Sequence, residues 1–300
     1  MFGVSPDYHM PLWRPPSEAR SLIIQATLGC SHNRCTFCEM YKMKRFFVRS
    51  LEDVIQELKE VARGRGGRVK RLFFADGDAL VLPTPHLLKL LETAGGCFPE
   101  LERVALYATP QNLQRKSVEE LEALRSAGLE LLYYGVESGD DEVLEAVCKG
   151  ADAETIVDSA AKAHAAGLRL SATVLLGIGG RKKSLDHARH TAEVLSRMDP
   201  AYASALTVMD PPRRGAPEGA GDSKDRPWME MGVWEIVEEL GELVAGMEVT
   251  SCVFRSNHAS NYLPLKGTLP RDKEALLRQV KEVLASHERE DLRPEWMRGL

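Results

Sequence analysis

The sequence predicts an α/β fold in which parallel β-strands alternate with α-helices. Six apolar segments of strand length are each followed by a segment with helical spacing, at intervals of roughly 30 residues or more. Several of these strands are almost continuously apolar, as expected when helices cover one face of a sheet and a barrel interior lies on the other. Together the two patterns favour repeated βα units.

Six strands and six helices are predicted before residue 210. The predicted strands cover 22–27, 69–75, 104–108, 129–136, 168–176 and 202–208. The predicted helices begin near Ser50 and then cover 85–94, 117–127, 141–147, 153–166 and 184–197. Ser50 and Asp53 have the spacing of a capping box, which marks the beginning of the first helix.

The two ends of the sequence look different from this repeating part. Residues 1–20 contain several prolines and predict an irregular segment that packs on the barrel. Segment 210–227 is rich in proline, glycine and charge, and it predicts a long loop that is either a lid or a tolerated insertion. Beyond it, helices at 228–244 and 271–287 flank an apolar stretch at 249–254. These segments predict a C-terminal α/β elaboration.

The composition narrows the class of protein. The chain has 300 residues and a formal net charge of −5, which gives no reason to expect a nucleic-acid partner. No apolar run reaches the roughly 18 residues of a membrane span, and residues 1–20 lack the apolar core of a signal peptide. Six cysteines in a chain of this length do not predict a disulfide scaffold. We therefore expect a cytoplasmic protein without a membrane partner.

Three of the cysteines fall close together after the first strand. Cys30, Cys35 and Cys38 lie within nine residues, with four residues and then two between them. Three thiolates from one short loop suit a metal centre better than a disulfide, and three is one fewer than a closed site needs. A zinc site that uses His32 or a distant fourth ligand is the alternative. Cys97, Cys148 and Cys252 are scattered, which is typical of small packing residues.

This cysteine loop resembles the iron–sulfur loop of the radical S-adenosylmethionine (radical SAM) superfamily. In that family three cysteines bind three irons of a [4Fe–4S] cluster, and the fourth iron binds S-adenosylmethionine. The usual spacing is three residues and then two, so this loop is a variant. Phe37, just before the last cysteine, matches an aromatic residue that packs near the adenine. The resemblance implies that Cys30, Cys35 and Cys38 are the metal ligands.

The resemblance covers most of residues 20–210. It implies a partial (β/α)6 TIM-like barrel at 21–210, preceded by the segment 1–20 and followed by the elaboration at 211–300. In such a barrel the site lies at the carboxyl ends of the strands. Polar or glycine-rich clusters follow every predicted strand. A zinc site on an unrelated fold gives no reason for this coincidence.

The clusters after the second and third strands match the family in part. Asp76, Gly77 and Asp78 lie where the family has a Gly-Gly-Glu motif that contacts the methionine amino group. Asp76 replaces the first glycine and Asp78 the glutamate, and an acidic group suits an ammonium. The alternative is an exposed turn, since Asp-Gly pairs are common in turns. Gln111 follows the third strand and joins the expected cofactor-binding residues.

The clusters after the fourth and fifth strands add further cofactor candidates. Glu137 and Ser138 match a motif that reaches the ribose, and a carboxylate can accept hydrogen bonds from both ribose hydroxyls. Lys149 is either a contact to the cofactor carboxylate or a surface lysine. Gly177 and Gly179 match a stretch whose backbone contacts adenine, because glycine allows close approach. Read without the resemblance, the last two form an ordinary turn.

The substrate-side candidates lie beyond the matched region. Segment 255–262 is dense in hydrogen-bonding side chains, and its alternative is a solvated loop. Within it, Arg255, Asn257, His258 and Asn261 are the residues that we expect to face a substrate. A histidine there can also act as an acid or base.

The resemblance implies a reaction as well as a fold. An electron donor such as ferredoxin or flavodoxin reduces the cluster. S-adenosylmethionine is then cleaved to methionine and a 5′-deoxyadenosyl radical, which takes hydrogen from a substrate that the sequence does not identify. The alternative function is a non-catalytic protein that binds zinc or an electron-relay iron–sulfur cluster.

Overall fold

The structure is a computed structural model that describes residues 6, 8–65, 68–209 and 231–299. Its strands are β1 (Leu22–Gln25), β2 (Thr27–Leu28), β3 (Phe47–Val48), β4 (Arg71–Ala75), β5 (Arg103–Ala108), β6 (Leu129–Glu137), β7 (Arg169–Leu176), β8 (Tyr202–Thr207), β9 (Cys252–Arg255) and β10 (Lys266–Leu269). Its helices are α1 (Leu51–Arg65), α2 (Thr84–Cys97), α3 (Pro110–Gln114), α4 (Val118–Ser126), α5 (Asp141–Ala146), α6 (Ala153–Ala165), α7 (Gly180–Met198), α8 (Val233–Gly246) and α9 (Lys273–Ser286).

The predicted α/β fold of mainly parallel strands with flanking helices is confirmed. Each strand and helix predicted before residue 210 has a counterpart whose ends differ by a few residues. The hairpin of β2 and β3 and the last strand, β10, were not predicted. The long loop predicted at 210–227 lies outside the described residues.

The chain folds into two compact units. The first contains the described residues up to Arg34 together with Cys38–Tyr134 and Asp158–Leu170. In it β1 pairs with β4, β4 with β5, and β5 with the first part of β6, always in parallel. Four consecutive residues of β4, from Leu72 to Ala75, are buried, because an inner parallel strand is covered on both faces.

The second unit contains Cys35–Phe37, Gly135–Val157 and the described residues from Ser171 onward. Here β7, β8 and β9 are parallel neighbours, and β10 adds to β9 in the antiparallel direction. Helix α8 packs against α7 and α9. The sequence predicted a division of the chain into 1–20, 21–210 and 211–300. The two compact units have other boundaries, and the predicted division stays a prediction. Within the described residues, no helix combines the length and apolarity that crossing a membrane requires.

Gly139, in the turn after β6, shows how tightly the second unit is packed. Its amide donates to Thr191 Oγ1 at 2.9 Å. A Cβ at this position would overlap the carbonyl oxygen of His190 and would lie 2.7 Å from Thr191 Cα. Backbone atoms of a helix cannot move aside as a flexible side chain can, so only glycine fits between the turn and α7.

We therefore expect Gly139→Ala to lower the free energy of unfolding by about 3 kcal/mol, the cost of overpacking a dense site. Gly95→Ala is the matched control, because a Cβ on Gly95 in α2 meets no atom within 4 Å. Replacing a helical glycine without a clash should stabilise the chain by about 0.5–1 kcal/mol. Urea denaturation measures both, and a loss below about 1 kcal/mol for Gly139→Ala would contradict the packing argument.

Candidate functional site

The cysteine loop follows β2 directly. Cys30, Cys35 and Cys38 are free thiols, each half-buried. Burial and the neighbouring Asp78 carboxylate raise the pKa of the Cys30 thiol, and Cys38 lies near enough to add to this effect. Across the described residues, no group of three or more His, Cys, Asp or Glu side chains is already arranged to hold a metal ion. The role of the three cysteines as ligands therefore stays a prediction.

Asp78 fixes the beginning of the cysteine loop. Its side chain is fully buried, and it accepts hydrogen bonds from the Ser31 amide at 3.1 Å, from the Ser31 hydroxyl, and from Asn112 Nδ2 at 2.9 Å. Burial raises the pKa of Asp78, while these hydrogen bonds oppose that shift. The Asp78 carboxylate, which follows β4, thus links Ser31, the residue after Cys30, to Asn112, which follows β5.

Asn112 was not among the predicted site residues, although it directly follows the predicted residue Gln111 after the third strand. It is buried in α3, and Thr109 caps the beginning of that helix through the Asn112 amide. Gln111 lies half-buried in the same helix. The signal that could have found Asn112 is its position in a polar strand exit, where a buried amide can pair with a buried carboxylate.

Gly77 lets the Tyr41 ring and the first cysteine pack closely against the backbone of the turn after β4. A Cβ on Gly77 would lie 2.7 Å from the Tyr41 ring and 2.9 Å from Cys30 Cβ, so a larger residue would push against both. The Gly77 amide donates to the Gly29 carbonyl oxygen at 3.0 Å, which joins the turn after β4 to the loop after β2. The predicted Asp-Gly-Asp motif is therefore a packed turn rather than an exposed one.

Asp76 is buried in an unusual setting. Its Oδ2 accepts from Lys44 Nζ at 2.8 Å and from the Gly29 amide at 3.1 Å, while burial raises the pKa of the carboxyl. Its Oδ1 and the buried hydroxyl of Tyr41 have no hydrogen-bond partner in the described part of the chain. Buried polar atoms are normally satisfied, so two unsatisfied atoms beside the cysteine loop are available to a bound polar group.

Glu137 ends β6 in a strained conformation. Its φ of 67° lies in the left-handed region, which costs a side-chain-bearing residue about 1–2 kcal/mol. Lys149 Nζ lies 3.1 Å from Glu137 Oε1, and the Lys149 side chain is 7% exposed. Lys149 is therefore buried against the predicted ribose-binding carboxylate and is not a surface lysine. Strain of this kind is concentrated at functional sites.

Ser138 belongs to a buried polar chain. Its hydroxyl lies 2.8 Å from His187 Nδ1 and accepts from the Asp140 amide at 3.0 Å. His187 Nε2 lies 3.1 Å from the Leu175 carbonyl oxygen, so the network assigns the proton to Nε2 and makes Nδ1 the acceptor from Ser138. Burial lowers the pKa of His187 to about 4, so the ring is neutral at neutral pH.

Glu239 of α8 continues this chain to the turn after β7. It accepts from the Gly177 amide at 2.6 Å and from Ser184 Oγ at 2.5 Å, and it lies 3.5 Å from His187 Nε2. Burial raises the pKa of Glu239 to about 7. Since burial favours the neutral form of both side chains, their 3.5 Å approach is not an ion pair.

Gly177 and Gly179 line the same turn. Gly177 has a φ of 83°, and a Cβ there would lie 2.7 Å from Ile236 Cδ1 of α8, so glycine is required. Gly179 caps the beginning of α7. Glu239 was not predicted, although an acid within the apolar stripe of Ile236 and Leu243 is a readable sign of a buried carboxyl.

Phe37 packs against a buried apolar cluster of Val143, Val147 and Ile178. The amide of Thr36 donates to the Val147 carbonyl oxygen at 3.0 Å, which holds the segment in place. The aromatic residue before the last cysteine thus packs on a cluster that includes Ile178, a residue of the glycine-rich turn predicted to contact adenine.

The C-terminal candidates divide into two kinds. Asn261 is buried and structural, because it donates to the carbonyl oxygens of Ala205 and Ser256 at 2.7 Å and accepts from Thr207. Arg255 donates to backbone carbonyl oxygens of Phe254 and Gly267.

Asn257 is exposed, and His258 is half-buried with Nδ1 accepting from the Ser260 amide at 3.1 Å. Burial, aided by Arg293, lowers the pKa of His258. A neutral, partly accessible imidazole and an exposed amide are the two side chains of this loop that best suit a substrate contact.

Comparison with known proteins identifies the family of the chain. The model of the radical SAM superfamily matches residues 24–195. MJ0865 of Methanocaldococcus jannaschii, whose name assigns it provisionally to the methylthiotransferases, is 26% identical over 187 residues, or 57% of this chain and 40% of that protein. The heme chaperone HemW of Bacillus subtilis is 22% identical over 192 residues, or 61% of this chain and 49% of HemW. The chain thus spans half or less of these relatives.

Among solved structures, coproporphyrinogen III oxidase (HemN) of Escherichia coli, a radical SAM enzyme, is similar with a TM-score of 0.59. The sequence identity is 20%, and the match covers 75% of this chain and 51% of HemN. Methylornithine synthase (PylB) is similar with a TM-score of 0.52 and 15% identity, over 86% of this chain and 68% of that chain. At these identities the likeness shows the fold alone.

The Glu239 carboxyl makes a prediction about pH. Its folded-state pKa of about 7 is above the ordinary 4.5, so its contribution to stability is complete below pH 4.5 and is lost as the pH rises through 7. Compared with Glu239→Gln, the wild-type chain should lose about 2–3 kcal/mol of unfolding free energy between pH 5 and pH 8.

Chemical denaturation at the two pH values measures this difference. His187 acts in the opposite direction, because its depressed pKa stabilises the folded chain more as the pH rises, but it is present in both chains. Glu242→Gln is the control, since Glu242 is on the same helix and pairs with Arg189 at the surface. Equal pH profiles for wild type and Glu239→Gln would contradict the assignment of a buried, protonatable Glu239.

Proposed function

Since the chain belongs to the radical SAM superfamily, a family of enzymes that use a [4Fe–4S] cluster and S-adenosylmethionine, we propose that it begins its reaction by reductive cleavage of S-adenosylmethionine. When bound, the cluster supplies the electron for this cleavage, and the resulting 5′-deoxyadenosyl radical takes hydrogen from a substrate. The observation that carries the proposal is the anchored cysteine loop, whose first cysteine adjoins a residue held by buried Asp78. The six free cysteines suit a reducing compartment such as the cytoplasm.

Cys30, Cys35 and Cys38 are the proposed ligands of the cluster. Three thiolates leave one iron without a protein ligand, which suits a cofactor that binds through its amino and carboxylate groups. The residues present fit such a group. Two buried polar atoms beside the loop, Asp76 Oδ1 and the Tyr41 hydroxyl, lack a hydrogen-bond partner among the described residues, and the half-buried thiols keep part of their surface exposed.

Residues that follow β4 and β5 are the proposed contacts to the methionine end of the cofactor. The proposed contacts are made by Asp76, Gly77, Asp78 and Gln111. The unsatisfied Oδ1 of buried Asp76 supports this role, because an ammonium would supply the hydrogen bond that this oxygen lacks. Asp78 contributes mainly by holding the loop, since both of its oxygens already accept hydrogen bonds from Ser31 and Asn112.

Residues that follow β6 and β7, together with Phe37, are the proposed contacts to the nucleoside end. Glu137 and Ser138 are the proposed ribose contacts, Lys149 the contact to the carboxylate, and Gly177, Gly179 and Phe37 the adenine contacts. The strained backbone of Glu137 supports its role, because the fold holds that carboxylate at a cost in conformational energy. The packing of Phe37 against the cluster that includes Ile178 supports an adenine site lined by the turn after β7.

The substrate is proposed to meet the loop after β9. Asn257 and His258 are the side chains proposed to touch it, while Asn261 and Arg255 hold the loop in position. The protein's part in the reaction is to hold the reacting atoms together and to exclude water from the radical. A protein donor such as ferredoxin or flavodoxin is the proposed electron source.

The ligand assignment predicts which cysteines the cluster needs. After anaerobic reconstitution, Cys30→Ser, Cys35→Ser and Cys38→Ser should each lower bound iron and the cluster's visible absorption by more than about tenfold, because removing a ligand removes a metal–sulfur bond. Cys97→Ser and Cys148→Ser are controls, since Cys97 is half-buried in α2 and Cys148 is exposed.

Iron and sulfide analysis gives the result without any substrate. Full iron loading in one of the three loop variants would remove that cysteine from the ligand set. Loss of iron in Cys97→Ser or Cys148→Ser would show a ligand elsewhere. Zinc in place of iron in the wild-type chain would contradict the proposed function.

A further inference from the structure

The segment that follows the cysteine loop has an unusual surface. Among the described residues, six large hydrophobic side chains are exposed, and four of them are Met10, Met43, Phe47 and Val48. Met43 is 92% exposed and Phe47 58%. Single exposed apolar residues are ordinary, but several along one short segment are typical of an interaction site. We call Met10, Lys42, Met43, Arg45, Phe47 and Val48 the hairpin patch.

The hairpin patch is basic in an acidic protein. The segment from Cys38 to Arg49 contains four cationic residues and one anionic residue, a net charge of +3, whereas the whole chain carries −5. Two of the four cations are used internally, Lys44 by Asp76 and Arg49 by Glu57. Lys42 and Arg45 are exposed beside the apolar side chains, and Lys42 Nζ, which donates to the Asn33 carbonyl oxygen at 2.9 Å, has no carboxylate partner among the described residues that would cancel its charge.

The fold holds this surface in a fixed shape. Strand β3 pairs with β2 through Thr27↔Val48 and Leu28↔Phe47. Lys44 Nζ bridges Asp76 at 2.8 Å and the His9 carbonyl oxygen at 2.5 Å, which brings the segment containing Met10 against the hairpin. A preformed surface binds a partner without first losing the entropy of a flexible segment.

The hairpin patch also lies close to the first cysteine. Tyr41 directly precedes Lys42, and the Tyr41 ring and Cys30 Cβ flank the same glycine, Gly77. A carrier seated on the patch would therefore approach the cysteine loop from outside. Short-lived electron-transfer complexes use small interfaces in which opposite charges guide the encounter and a few apolar contacts complete it.

We propose that the hairpin patch is the docking surface for an acidic one-electron carrier protein. The inference rests on the proposed function, which requires one electron from outside the chain. In the step that docking serves, the reduced carrier loses one electron and the cluster held by the cysteines gains it, without making or breaking a covalent bond. Carboxylates of the carrier pair with Lys42 and Arg45, while an apolar centre covers Met43 and Phe47.

The experiment separates docking from chemistry. Two double variants are compared with wild type, Met43→Asp with Phe47→Asp and Lys42→Glu with Arg45→Glu. The controls are Met297→Asp, an exposed methionine elsewhere, and Lys281→Glu, an exposed lysine of α9. Binding of oxidised bacterial flavodoxin is measured by calorimetry, and cleavage of S-adenosylmethionine is measured with reduced flavodoxin and, separately, with dithionite.

The patch variants should weaken flavodoxin binding about tenfold or more, and binding by the wild type should weaken as salt is raised. Flavodoxin-driven cleavage should fall by a similar factor, while dithionite-driven cleavage and both controls stay within about twofold. If Phe47→Asp prevents folding, Met43→Asp alone gives the test, because Met43 is almost fully exposed.

Three outcomes overturn the proposal: flavodoxin binding that is unchanged in the patch variants, equal loss of binding in the controls, or a patch variant that only converts a dimer to a monomer. The last result would assign the surface to a second copy of the chain. Failure of wild type to cleave S-adenosylmethionine with dithionite would instead count against the proposed function, and the binding measurement would still decide the role of the patch.

Discussion

The buried carboxylate of Asp78 is the interaction on which the candidate site depends most. A short turn with three cysteines has no regular backbone hydrogen bonding to fix it, and Asp78 supplies that order through Ser31. Taking the carboxylate out of water is costly, and the hydrogen bonds from Ser31 and Asn112 offset that cost. Gly77, which precedes Asp78, allows the Tyr41 ring and Cys30 to pack against this turn. One turn after β4 therefore holds the loop through a carboxylate and through close packing.

The second unit uses a comparable device around a different turn. A chain of buried polar side chains runs from Ser138, which is hydrogen-bonded to His187, to Glu239, which lies 3.5 Å from His187 Nε2 and accepts from the Gly177 amide. Because its members come from the end of β6, from α7 and from α8, this chain fixes two predicted cofactor contacts at once. A buried polar network specifies a single arrangement only when each of its polar groups has a hydrogen-bond partner. The protonation states of His187 and Glu239 therefore affect how firmly the turn at Gly177 is held.

The sequence was most informative where local patterns determine structure. Apolar runs predicted the positions of the parallel strands. Polar residues directly after those strands predicted Asp76, Asp78 and Glu137 as candidates for the site. It was least informative where the role of a residue depends on a partner far away in the sequence. Glu239 is such a residue, because it accepts a hydrogen bond from the amide of Gly177, 62 positions away. Strand β10 was missed because only one of its four residues is buried, so it has no alternating apolar pattern.

The proposed function requires that this chain bind S-adenosylmethionine at an iron–sulfur cluster. The most direct measurement is the electron paramagnetic resonance spectrum of the anaerobically reconstituted, dithionite-reduced chain, recorded before and after adding S-adenosylmethionine. We expect a reduced [4Fe–4S] signal whose shape changes on addition, because the cofactor would bind the iron that has no cysteine ligand. A spectrum that stays the same when S-adenosylmethionine is added would contradict it.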